Sequence, residues 1–116
     1  MASLNIKTDL RIADDTINMI AGVAATSVEG VVSLGEGITF KALPFIGSNN
    51  LKKGIKIEKN EKDNSIIATI TIVIKPGVDI KSTCLNIQEK VKDAIESMLD
   101  LQVKEVIVKV AKIDDV

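Results

Sequence analysis

The sequence predicts an α+β fold: a two-layer domain with two amphipathic helices on one face of a three- or four-stranded mixed sheet, in the order α-β-β-β-α-β. Three patterns carry that prediction. Ile80, Cys84, Ile87, Val91, Ala94 with Ile95, and Met98 recur at alternating four- and three-residue steps, so they share one face of a helix. Ile66, Ala68, Ile70, Ile72 and Ile74 alternate with Ile67, Thr69, Thr71, Val73 and Lys75, the period-two signature of a strand. Straight after the long helix, Val106, Val108 and Val110 alternate with Glu105, Ile107 and Lys109, a further strand with one well-buried face.

Taken in order, residues 1–11 read as an extended leader without the apolar core of a signal peptide. A helix is expected from Asp14, because Ala13, Ile17, Ile20, Ala21, Ala24 and Val28 fall on one face. Asp14 is suited to cap it, Asp15 favours its positive end, and Gly30 stands where a glycine stops a helix. Gly22 costs about 1 kcal/mol against alanine inside a helix, which marks a close packing approach. Val31, Val32 and Leu34 make a short strand. The stretch from Gly35 to Gly54 is a long loop or loose hairpin excursion, with four of the seven glycines, one of the two prolines and both aromatics. Ile55 and Ile57 alternate with Lys56 and Glu58 as a strand, and Asn60 to Asn64 is a polar turn into the long strand. Pro76-Gly77 breaks that strand, and Asp79 or Ser82 can cap the second helix. A crossover through this helix should be right-handed and leave the last strand parallel to the long one.

Composition sets the class. A chain of 116 residues makes one domain, 1–116, with enough length for a real core. Hydrophobic residues make up 46% and charged residues 27%, a globular mix. Phe40 and Phe45 are the only aromatics, so the core must be aliphatic. A net charge of −1 and a pI near 5.4 argue against non-specific nucleic-acid binding and give no attraction to an anionic membrane. No apolar run approaches the roughly 18 residues of a membrane span. The expected location is therefore the cytoplasm, with any membrane proximity arising through a partner.

Chemistry is scarce. Without histidine there is no Ser–His or Cys–His nucleophile and no transition-metal site of the usual Cys/His kind. Asn60, Glu61, Asp63 and Asn64 cluster but lack the spacing of an EF-hand, and a solvated turn explains them. Gly35-Glu36-Gly37 lacks the third glycine of a dinucleotide fingerprint. Gly47 to Gly54 has glycine and lysine without the order of a P-loop. The adjacent carboxylates at Asp14/Asp15 and Asp114/Asp115 are explained by capping and solvation. The lone Cys84 lies on an apolar helix face, where a thiol packs as a small hydrophobe and its pKa rises. Lys92 and Glu96 are spaced for an i,i+4 pair on the solvated face of the same helix. No catalytic residue, no cofactor and no metal ligand is therefore expected.

What remains is surface. Phe40, Leu43, Pro44, Phe45 and Ile46 place an apolar cluster inside the glycine-bounded loop, either completing the core or docking a partner. A sheet with helices on one side leaves its other face free, and Ile67, Thr69 and Val73 belong to that face. These seven positions (Phe40, Leu43, Pro44, Phe45, Ile46, Ile67 and Val73) form the candidate interaction patch, for another protein or a second copy of the chain. A long apolar edge strand could also pair between chains. The alternatives are a regulatory domain binding a nucleotide or acyl ligand, or a nucleic-acid module. The last lacks a Gly-x-x-Gly clamp and stacking aromatics on its strands.

Three segments in order resemble the alkaline shock protein family of Gram-positive bacteria, also described as general stress proteins. They are Ile12-Ala-Asp-Asp-Thr-Ile17 with Ile20-Ala-Gly-Val-Ala-Ala25 and Val28-Glu-Gly-Val31; Lys53-Gly-Ile-Lys-Ile57 with the Ile66–Ile74 strand and Gly77; and Ile87-Gln-Glu-Lys-Val-Lys92 with Ala94-Ile-Glu96 and Val103, Val106, Val108 and Val110. The chain departs from the family at Pro76-Gly77, often aromatic-glycine, at Asp100, commonly glycine, and at Ile107, commonly asparagine. The 35–54 loop is a variable region in the family. The resemblance implies a small non-enzymatic cytosolic protein linked to cell-envelope stress, in some members held at the membrane by a membrane-anchored partner.

Overall fold

The computed structural model describes residues 14–35, 54–60 and 62–113. Helix α1 (Asp14–Thr26) is followed by strands β1 (Val31–Leu34), β2 (Ile55–Asn60) and β3 (Ser65–Ile74), helix α2 (Ile80–Leu99) and strand β4 (Gln102–Ile113). The element order is the one read from the sequence. The sheet is mixed: β3 pairs antiparallel with β1 and β2 and parallel with β4, as a helical crossover requires.

Four strands occupy only three positions. β2 pairs with residues 65–70 of β3 and β1 with residues 72–74, both on the same side of β3. Between them Gly35 N–H donates to the Thr71 carbonyl at 2.7 Å, and Thr71 N–H donates to the Gly54 carbonyl at 2.9 Å. β1 and β2 are thus two lengths of one edge strand, with Gly35 at the end of one and Gly54 at the start of the other, both opposite Thr71. Gly30, with φ +98°, makes the turn from α1 into this edge.

Both helices cover the face formed by Ile66, Ala68, Ile70, Ile72 and Ile74, all buried. α1 contributes Ile17, Ala21, Ala24, Ala25 and Val28 to this core. α2 contributes Ile87, Val91 and Ile95, each fully buried, with Thr83 extending the row. The buried row on α2 therefore runs at strict four-residue steps. Its expected ends lie outside: Ile80 is 44% and Met98 67% exposed, while Leu99 packs on the core in place of Met98. Four-residue steps drift around a 3.6-residue helix, so a short sheet engages only the central turns. Cys84 is half-buried, and desolvation pushes its thiol pKa up.

Local chemistry sets the boundaries. Asp79 caps α2, its Oδ1 accepting from Ser82 N–H at 3.3 Å while its carbonyl accepts from Thr83 Oγ1 at 2.8 Å. Asp100 ends the helix in the left-handed region, φ 53°. That is a backbone region glycine enters at no steric cost and other residues enter rarely. Glu96 does not reach back to Lys92; its Oε2 accepts from Val103 N–H at 2.9 Å, tying the helix to the start of β4.

Candidate interaction surface

Strand registers define what the helix-free face presents. Lys56 stands opposite Thr69 and Glu58 opposite Ile67 on the β2 side. On the other side Ile67 pairs with Glu105, Thr69 with Ile107, Thr71 with Lys109 and Val73 with Lys112. The face is therefore a strip of Ile67, Thr69, Thr71 and Ile107 between charged margins. Lys56 and Glu58 pair within one margin at 3.7 Å. The strip is half-buried, and among the described residues no second layer stands over it.

Of the candidate patch, Ile67 lies on this strip and Val73 does not contribute: it is 3% exposed, so it displays no surface. Phe40, Leu43, Pro44, Phe45 and Ile46 lie outside the described residues. Period-two reasoning could have added Ile107, which the sequence placed beside β3 without assigning it to a surface.

Two bulges in β4 were not legible. Ile66 pairs with Val103 but Ile67 with Glu105, so Lys104 is the extra residue; between Val110 and Lys112 it is Ala111. The first bulge frees Lys104 to meet Asp63 at 3.1 Å. Asp63 also accepts from Ser65 Oγ at 2.5 Å. These contacts, the Ser65 bond first, hold the Asp63 carboxyl below its usual range. A depressed carboxylate contributes stability above its unfolded pKa and loses it as pH falls through the lower folded value. Ser65→Ala is accordingly expected to move the Asp63 titration upward, towards the ordinary aspartate value near 3.9, as read by carboxyl NMR. No movement would mean that Lys104 alone sets it.

Two grooves flank the surface. One, of about 590 Å³, lies at the β2–β3 turn and is lined by Lys59, Lys62, Ser65, Ile66 and Lys104 among others. The other, of about 440 Å³, runs between α2 and β4 along Leu85, Gln88, Lys92, Val103 and Val106. Both are open to solvent, and Glu58 stands with the lysines and Ser65 on the rim of the first. Among the described residues no group of three or more Cys, Asp or Glu side chains could hold a metal ion. No helix there is long and apolar enough to cross a membrane.

Comparison with solved structures supports the architecture. The copper form of the MamM CTD superposes with a TM-score of 0.53 at 14% identity, over 89% of each chain. A zinc form of a variant of that domain gives 0.52 at 14% identity, over 87% of each. At this identity the likeness is one of fold. Among curated proteins, YqhY of Bacillus subtilis, described as uncharacterized, is 28% identical over 84% of this chain and 70% of its own. Two proteins of Streptococcus pyogenes with the same description, Spy1535 and Spy1614, are 31% and 32% identical, over 84% of this chain and 73% and 82% of theirs. The family model for alkaline shock protein 23, described by its cell envelope-related function, matches residues 3–114. With nearly the whole length matched and the α-β-β-β-α-β order in place, the chain belongs to the alkaline shock protein 23 family, with its cell envelope-related function.

Proposed function

We propose that this protein is a non-enzymatic, cell envelope-associated interaction or scaffold protein that works through contacts between chains. The observation that carries the reading is the helix-free face. Ile67, Thr69, Thr71 and Ile107 make an apolar-to-hydroxyl strip with charged margins, the composition of a protein contact rather than of a reaction site. The Phe40–Ile46 segment is part of the same proposal, because the described residues that flank it, Gly35 and Gly54, both stand on the edge beside Thr71. The partner is a protein, one anchored in the membrane being the form the family suggests, and the protein itself stays on the cytoplasmic side. A regulatory domain binding a nucleotide or acyl ligand is less well supported, because the two grooves are open to solvent and do not enclose a ligand.

Site-specific photo-crosslinking in the native host tests this. A crosslinker at Ile67 is expected to capture an envelope-fraction protein, whereas one at the solvent-exposed Asn86 of α2 captures none. Equal yields at the two positions, or none at Ile67, would remove the helix-free face from consideration.

A further inference from the structure

The sheet has two edges of different character. The β1/β2 edge is interrupted between Gly35 and Gly54, and its longer part has six residues. β4 runs twelve residues and pairs, among the described residues, with β3 alone. Long unprotected edges are the places where a further strand adds. Among the described residues β4 is only partly guarded: Glu96 holds the Val103 N–H, and Gln88 Nε2 donates to the Val106 carbonyl at 2.9 Å. A carbonyl has a second lone pair, so the Gln88 bond leaves Val106 able to accept from a neighbouring strand.

We infer that β4 pairs antiparallel with β4 of a second copy, about a twofold axis passing through Ile107. The register follows from charge and length together. An antiparallel pair about Ile107 sets Ile107 against the partner's Ile107, Glu105 against the partner's Lys109 and Val106 against the partner's Val108. On the helix-free face this gives an apolar centre closed by two ion pairs; on the helix face it gives valine against valine. Glu105 and Lys109 are both exposed. Within one chain they lie four residues apart along a strand, about 13 Å, too far to pair with each other. Among registers that keep like faces opposite, only this one sets a glutamate against a lysine between the bulges at Lys104 and Ala111. It also uses nearly the whole strand, whose midpoint falls between Ile107 and Val108.

A second feature fits the same occupant. Leu85 on α2 is 52% exposed and lines the groove beside Val103 and Val106, along the edge where the partner's Val108 would arrive. Pairing would shield this apolar wall. It would also join the two sheets into one six strands wide, counting β1/β2 as one, and bring the two helix-free faces into a single continuous surface. The inference rests on the reading of this protein as one that acts through contacts between chains, and adds which copy, which strand and which register.

Light scattering behind a sizing column, on the full chain over a hundredfold concentration range, tests it with charge variants. The wild type is expected to shift from monomer to dimer. Glu105→Lys and Lys109→Glu each place like charges opposite one another twice per dimer. Each should raise the dissociation constant about tenfold, with thermal unfolding of the monomer unchanged. An equimolar mixture of the two variants restores both ion pairs and should regain dimer, as should the double variant carrying both changes. The wild-type dimer should weaken with added salt. A wild type that stays monomeric throughout, or a dimer indifferent to the single changes and to mixing, would overturn the proposal. Crosslinking from Ile67 to a different protein is read separately, so the failure of one idea does not entail the failure of the other.

Discussion

Replacing Ile70 with alanine is expected to remove about 4 kcal/mol of folding stability. Ile70 is fully buried at the middle of β3. It stands opposite Ile55 on one side and Val108 on the other, beneath the helix layer. A strand hydrogen-bonded along both sides cannot move inward to fill the space left by three carbons. The cost is therefore the lost transfer energy plus a cavity that stays open. In a domain of this size each kcal/mol lowers the melting temperature by roughly 4 °C, so the loss should read as about 15 °C. Thr69→Ala, one residue along but on the helix-free face, should change stability by less than about 1 kcal/mol. Urea titration of both variants decides the matter, with an unchanged slope showing that the unfolded state is not the cause. A loss below about 1 kcal/mol at Ile70 would mean that the helices do not seal this face.

The second large effect is expected at Gly54. A Cβ there would stand 2.6 Å from Leu34 Cγ and 2.9 Å from the Gly35 nitrogen. Leu34 is fully buried, and the Gly35 N–H is bonded to Thr71, so neither neighbour can yield cheaply. Gly54→Ala should cost about 2–3 kcal/mol by overpacking. It should also increase the amide exchange of Gly35, because the junction of β1 and β2 must open. Gly77 makes the comparison informative. A Cβ there meets nothing within 4 Å, but φ is +85°, so alanine at Gly77 should cost only about 1 kcal/mol, through backbone strain alone. If Gly54→Ala proves as mild as Gly77→Ala, the two half-strands are not locked together at Thr71.

Much of this architecture was legible because the signals involved are local. Alternation along Ile66–Ile74 and Val106–Val110 reports which side chains face the core, and the structure buries the even members of β3 as read. The Asp79 cap needed only an acceptor three residues ahead of a free N–H. Where the reading slipped, a neighbour distant in sequence was responsible. Ile80 and Met98 satisfy the helical period yet lie beyond the reach of the sheet. Glu96 has a correctly spaced lysine, and is drawn instead to an edge N–H that exists only once β4 is in place. Val73 alternates as a helix-free-face residue should, yet is buried at the end of β3 where Ser33 and Lys112 stand on either side.

The sequence by itself therefore determined the kinds and order of the elements, the aliphatic core and the lack of histidine-based chemistry, since periodicity and residue type act within a few residues of themselves. Only the tertiary structure decided that two short strands form one edge, that Gly35 and Gly54 meet opposite Thr71, and that bulges at Lys104 and Ala111 set which charges β4 presents. Those facts depend on backbone hydrogen bonds between segments far apart in the chain, and a register between strands is a property of the pair.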